Sequence, residues 1–279
     1  MEKRITLYRP GKEFPSVSIT GITCGKSCDH CGGKYLKGMV DVSKNGSLLD
    51  FGMALYQKGG KGMLISGGCD TSGAVAFRHG TFEEIRELKE RTSLKINIHT
   101  GLVDESTTKM IKRSGVDKVS FDLIYHDQSI ENIFHLKRSR EDFVKTLSMM
   151  SESGISVSPH ILAGLHEGKV TWEYEAVDVL SGQSFEEVVL IVFVPTKGTK
   201  MEKVGTPDSD SVIDLGRYMR RKLGSRLLLG CMRPKGSSDI EIGLIEAGFD
   251  GIVLPSKRAV SHIIAKGWEI REKRVCCCF

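Results

Sequence analysis

Short apolar runs rich in Val, Ile and Leu recur along the chain at 16–20, 62–66, 95–99, 118–122, 156–162, 187–193, 226–230 and 251–254. Their length and composition predict strands buried on both faces, as in parallel sheets. Between them apolar positions recur every three or four residues. That spacing predicts helices at 82–92, 105–114, 141–153, 170–180, 210–223, 240–247 and 256–266. Glycine stands at three of the helix ends, as Gly115, Gly154 and Gly248, where a left-handed residue stops a helix. Eight strands alternating with helices predict one α/β domain over residues 1–279, folded as a (β/α)8 TIM-type barrel. The competing arrangement is a partial (β/α)6 barrel with a C-terminal extension.

Composition narrows the function classes. The 279 residues are 40% hydrophobic and 27% charged, ordinary values for a globular chain with a sizeable core. No apolar run is long enough to span a bilayer, and the start MEKRITLYRPGKEF lacks the apolar stretch of a secretory signal. A cytoplasmic protein without a membrane anchor is expected. The net charge of +5 is mild, and the basic clusters at 137–140 and 217–222 are not interleaved with aromatics. Nucleic acid is therefore not an expected partner, while an acidic protein partner or an anionic substrate fits.

The eight cysteines carry the chemistry: Cys24, Cys28, Cys31, Cys69, Cys231, Cys276, Cys277 and Cys278. The first three form C-x3-C-x2-C directly after the first expected strand. Thiolates suit iron–sulfur clusters and zinc. Three ligands on a four-iron cubane leave one iron open to a small molecule. A structural zinc site using His30 or a distant Cys is the competing reading, although zinc sites usually come as C-x2-C pairs. Cys69 and Cys231 fall at strand ends, on the rim where barrels carry their chemistry. The tail, about 270–279, ends in three consecutive cysteines. Neighbouring side chains should diverge, so one cubane is not expected to take all three. Three readings stay open: a second cluster using some of Cys69, Cys231 and Cys276–Cys278; a flexible sulfur-carrying arm; or buried cysteines with a disordered tail. His99, Asp122, His126 and His160 also fall near the mouth, where a histidine can move a proton, bind a metal or simply be a satisfied polar group.

The triad Cys24-x3-Cys28-x2-Cys31 resembles the signature of the radical S-adenosylmethionine (SAM) superfamily. The resemblance implies a [4Fe–4S] cluster on those cysteines and SAM on the open iron. It extends over residues 16–200 in the family's order. His30 takes the aromatic position near the adenine. Ser66-Gly-Gly-Cys69-Asp70 stands where the family carries Gly-Gly-Glu. Cys69 replaces the acid there, so the methionine amino contact passes to Asp70 or to backbone carbonyls. Asp122 ends the fourth strand. The stretch 132–139 resembles one in biotin synthase relatives where an arginine meets the SAM carboxylate; Arg138 matches best and Arg140 second. Gly164 belongs to a fifth-strand glycine motif near the adenine. Pro195 opens a Pro-x-x-Gly-Thr motif near adenine and ribose.

Within the superfamily the chain is similar to a biotin synthase-like group, and it resembles a component of the two-protein lipoyl synthase. That likeness implies hydrogen abstraction by a 5′-deoxyadenosyl radical, then sulfur insertion from a second cluster. The implied partners are an octanoylated lipoyl carrier domain or a small-molecule substrate, a second radical SAM subunit, and a reductant such as ferredoxin. A radical SAM mutase or metallocofactor maturase without sulfur transfer is the first alternative. A non-catalytic iron–sulfur or zinc scaffold is the second, and it would have no use for the nucleoside motifs.

Overall fold

The computed structural model describes residues 3–44 and 46–279, so Met1 and Glu2 of the basic start lie outside it. In chain order the elements are β1 (Arg4–Tyr8), β2 (Ser16–Ser18), β3 (Val40–Asp41), α1 (Leu48–Gln57), β4 (Gly62–Ser66), α2 (Thr81–Arg91), β5 (Lys95–His99), α3 (Glu105–Ser114), β6 (Lys118–Asp122), α4 (Asp127–Asn132), α5 (Arg140–Glu152), β7 (Val157–Ala163), α6 (Glu173–Ser181), β8 (Glu187–Val192), α7 (Ser209–Lys222), β9 (Arg226–Leu229), α8 (Ser238–Glu246), β10 (Gly251–Val253), α9 (Lys257–Ala265) and β11 (Glu269–Lys273). All eight expected strands are present, as β2 and β4–β10.

The sheet does not close, which corrects the expectation of a full (β/α)8 barrel. Its order is β11-β1-β10-β9-β8-β7-β6-β5-β4-β2-β3, with every ladder parallel. The reason lies in β1, which the apolar pattern did not reveal. Its two hydrogen-bonding edges are taken by β10 and β11, so neither is left for β2. Pro15, next to the three-residue β2, offers no N–H of its own. The result is an α/β partial barrel whose edges are β3 and β11.

Strand alternation divides the sheet into two faces. Ile96, Ile98, Val119, Phe121, Val157, Ile161, Val188 and Leu190 belong to one continuous buried core. The residues between them face the lumen, and many are polar. The register sets Asn97 beside Lys118, His99 beside Ser120, Ser120 beside Ser158, Asp122 beside His160, and Glu187 beside Arg226. Closed barrels usually fill this space with branched apolar layers. At the strand N-termini, fully buried Glu187 bonds Lys118 Nζ and Arg226 Nη2 at 2.8 Å each and also accepts from Ser158 Oγ.

The cysteine tail is ordered. Beyond β11 it runs beneath the lumen, anchored by Arg274 to Glu13 at 2.7 Å, by Lys273 Nζ to the Phe279 carbonyl at 2.7 Å, and by Phe279 against Phe14 at 5.7 Å. Cys277 and Cys278 are buried. The disordered-tail reading is therefore set aside.

Candidate functional site

The loop after β2 carries the first thiol group, and loops at the C-terminal ends of three other strands hold it. From the β4 side, Gly25 N–H donates to the Cys69 carbonyl at 2.8 Å, and Gly68 N–H donates to Thr20 Oγ1 at 2.7 Å. Gly68 must be glycine, because a Cβ there would sit 2.1 Å from the Thr23 carbonyl oxygen and 2.5 Å from Cys24 Cα. From the β6 side, Asp29 N–H donates to the Ile133 carbonyl at 2.9 Å, and Lys26 Nζ donates to the His135 carbonyl at 2.6 Å. His135 adopts a left-handed backbone (φ 53°) that brings its Nε2 within 2.7 Å of Asp29 Oδ1. From the β8 side, Lys200 Nζ lies 3.0 Å from the same oxygen, and Tyr35 Oη meets Thr196 Oγ1 at 2.8 Å. Asp29, Tyr35, His135 and Lys200 carried no sequence signal as site residues, since each contact joins distant loops.

Cys28, His30 and Cys31 bring their ligand atoms within 4.8 Å of one another. The Cys28 thiol faces the Cys31 sulfur and holds Cys31 down at about 4, with His30 adding to the pull. The same contact pushes Cys28 well up. Cys24 Sγ turns instead to the Cys69 carbonyl at 3.8 Å. Cys69 lies among these groups, and its burial pushes its thiol up to about 12. His30 packs on Phe134 with ring centres 5.0 Å apart, and its buried Nδ1 has no partner among the described residues. Three sulfurs on the same short loop, an unpartnered imidazole nitrogen and a glycine cradle beneath form a donor set that suits a thiolate-bound iron–sulfur group.

The other expected site residues line the mouth or its outer wall. Asp122 ends β6 and is exposed, and its charge reaches His99 and Cys69. Asp70 Oδ1 accepts from Ser72 N–H at 2.8 Å and Ser72 Oγ at 2.6 Å. Asp70 and Arg138 line the same outer cavity of about 550 Å³. Arg140 is tied to acidic neighbours, including Glu141 at 3.1 Å and Glu175 at 3.5 Å. Gly164 has φ 81°, and its N–H donates to buried Glu173 at 2.7 Å. Pro195 lies in the segment that brings Thr196 to Tyr35.

A second thiol group lies on the lumen floor. The sulfurs of Cys276, Cys277 and Cys278 fall within 4.8 Å of one another, so adjacent side chains converge here where divergence was expected. Asn97 Nδ2 donates to Cys276 Sγ at 3.4 Å, and Ser120 Oγ meets Cys278 Sγ at 3.5 Å. Hydrogen bonds from Cys277 and Cys278 hold Cys276 well below the usual thiol range, and the bonds of Cys277 to Cys276 and Cys278 push Cys277 well above it. Cys231 is exposed just beyond β9.

No protein-family profile matches the chain. Over 167 residues it is 28% identical to a biotin synthase of Lysinibacillus sphaericus, covering 55% of this chain and 49% of that one. The chain thus spans about half the length of that relative. A biotin synthase of Persephonella marina is 24% identical over 123 residues, 43% of this chain and 35% of the relative. Among solved structures, HydG, a maturase of the [FeFe]-hydrogenase, superposes with a TM-score of 0.66 at 16% identity, covering 99% of this chain and 66% of its own. Methylornithine synthase (PylB) gives 0.63 at 17% identity, covering 96% and 84%. The structural likeness shows the fold. The sequence likeness is to biotin synthases, over about half of this chain. Among the described residues no helix is long and apolar enough to cross a membrane.

Proposed function

We propose that the chain is a radical SAM enzyme that inserts sulfur into unactivated C–H bonds, with an octanoylated carrier domain as substrate. The observation that carries this reading is the placement of thiol groups at both ends of one polar lumen: Cys24, Cys28 and Cys31 at the mouth, Cys276, Cys277 and Cys278 on the floor. The mouth cysteines would hold a [4Fe–4S] cluster, which when bound supplies the electron that cleaves SAM to a 5′-deoxyadenosyl radical. Around it the chain fixes the loop through Cys69, Ile133 and Asp29 and keeps the walls polar. The floor thiols would hold a second iron–sulfur centre as the sulfur source. Asp70, Asp122, Arg138, Gly164, Pro195 and His30 remain the candidate SAM contacts. A second radical SAM subunit and a ferredoxin-type reductant complete the proposal.

The two solved relatives favour a second reading, a mutase or maturase without sulfur transfer, because they share nearly the whole fold of this chain. The test is iron, sulfide and 5′-deoxyadenosine in anaerobically reconstituted protein, wild type against a Cys24→Ala/Cys28→Ala/Cys31→Ala variant. The sulfur-insertion reading expects the variant to lose SAM cleavage and keep the floor centre. Loss of all iron would leave one cluster and bring the mutase or maturase reading forward. SAM cleavage by the variant would overturn both.

A further inference from the structure

The floor thiols are three, and tetrahedral iron in a cluster needs a protein ligand at every iron not otherwise capped. Two histidines approach the group from the lumen wall, His99 on β5 and His160 on β7, with ring centres 5.7 Å apart. They differ in how they are held. His160 is only 7% exposed, and its Nδ1 lies 2.9 Å from the Ser158 carbonyl oxygen. A carbonyl can only accept, so Nδ1 carries the proton, and in the neutral ring Nε2 carries the lone pair. That Nε2 has no hydrogen-bond partner among the described residues. Among the described residues His99 has no such backbone bond to fix its ring.

Register places His160 on the wall beside the thiols, outside the 4.8 Å that encloses the three sulfurs. Ser120 touches Cys278 Sγ and pairs with Ser158, and His160 lies two residues further along the same lumen face. Cys278 and His160 are close enough for the charge on one to act on the other. A ring that donates one nitrogen to a backbone carbonyl and leaves the other bare is the arrangement that outer partners impose on metal-bound histidines.

We propose that His160 Nε2 is the nitrogen ligand that completes a metal centre on Cys276, Cys277 and Cys278. The inference rests on the floor centre of the proposed function and adds its fourth ligand. A mixed thiolate–imidazole centre is less negative than an all-thiolate one, and exchange of a neutral imidazole for a thiolate changes cluster potential. The ligand also lies on the wall beneath the mouth, so the centre joins the rigid sheet to the tail.

The experiment is pulsed electron paramagnetic resonance on the reduced Cys24→Ala/Cys28→Ala/Cys31→Ala variant, alone and with His160→Gln or His99→Gln added. Iron and acid-labile sulfide are counted in each. The expected result is a directly coordinated nitrogen that persists in His99→Gln and disappears in His160→Gln. Iron with no coordinated nitrogen, or a nitrogen signal that survives His160→Gln, overturns the ligand assignment and leaves the floor centre standing. No iron in the triple variant, with circular dichroism showing it folded, overturns the floor centre itself. If the triple variant does not fold, wild-type chain carrying ¹⁵N-histidine decides the matter: a second centre whose nitrogen coupling does not change with the label refutes the assignment.

Discussion

The substitution Gly68→Ala tests whether the mouth loop is held by steric fit to the β4 turn. Gly68 is not in a left-handed conformation, so alanine brings no backbone strain there, and the effect is steric. The added methyl would lie 2.1 Å from the Thr23 carbonyl oxygen, where ordinary contact begins at 3.4 Å, a shortfall of about 1.3 Å. Both clashing partners are backbone and cannot swing aside. The loop must therefore lift by about 1 Å, carrying Cys24 with it. Overpacking of this kind costs roughly 1–3 kcal/mol, and a displacement of about 1 Å in a catalytic constellation costs on the order of a hundredfold in rate. Gly25→Ala is the matched control, since its methyl would meet the Cys69 carbonyl at 3.0 Å, a clash that a small shift relieves. The assay is 5′-deoxyadenosine formation and iron per chain after anaerobic reconstitution, with thermal melting alongside. Gly68→Ala should stay folded and lose most SAM cleavage, while Gly25→Ala keeps most of it. Wild-type cleavage with an unchanged melting temperature in Gly68→Ala would refute the reasoning.

Glu187→Gln leaves Lys118 and Arg226 only the exposed Glu186 as counter-charge, so unfolding in urea should show a loss of about 1–3 kcal/mol; no measurable loss would mean water reaches this layer. Burial raises Tyr8 from 10.0 to about 12. The unfolded phenol therefore ionises first, and as the pH rises from about 10 to about 12 the wild type should lose stability on the order of 2–3 kcal/mol that Tyr8→Phe does not. Parallel stability curves for the two proteins across that window would show that the phenol is not desolvated. Deleting residues 275–279 should remove the floor iron, about half of the total for two equal clusters, while SAM cleavage at the mouth persists; unchanged iron would place any second centre elsewhere.

The apolar pattern revealed the eight strands because each is a short Val/Ile/Leu run with a helix-covered face. It did not reveal β1 or β11. β1 is five residues in a basic segment, and β11, Glu-Ile-Arg-Glu-Lys, has the charged surface of an edge strand. Those two unread strands keep the barrel open, and with the two-residue β3 they bring the sheet to eleven strands where eight were expected. Helix α1 escaped notice because Gly52 interrupts its pattern. Its packing explains the glycine, since a Cβ there would lie 2.5 Å from Leu88 Cδ2 of α2.

The mouth was legible because its three thiols share one short loop, and local spacing is what a sequence shows directly. The clamp on that loop was not, since Asp29 meets His135 and Lys200 only after β6 and β8 have been laid beside β2's loop. The floor presents the same contrast more sharply. A run of three cysteines read from the sequence suggests side chains that diverge, because consecutive residues of an extended strand alternate in direction. Here the tail has left the strand and turns under an open sheet, so the alternation no longer applies and the three sulfurs converge. What draws them together is the polar lumen: Asn97 and Ser120 supply partners that an apolar barrel core could not offer. Polar residues at the inward positions of β5 through β9 were visible in the sequence as single interruptions of apolar runs. Their meaning depended on register, which sets Asn97, Ser120, Ser158 and His160 on one wall. A polar wall of this kind is costly to bury unless it has partners, and the ordered thiol tail supplies them.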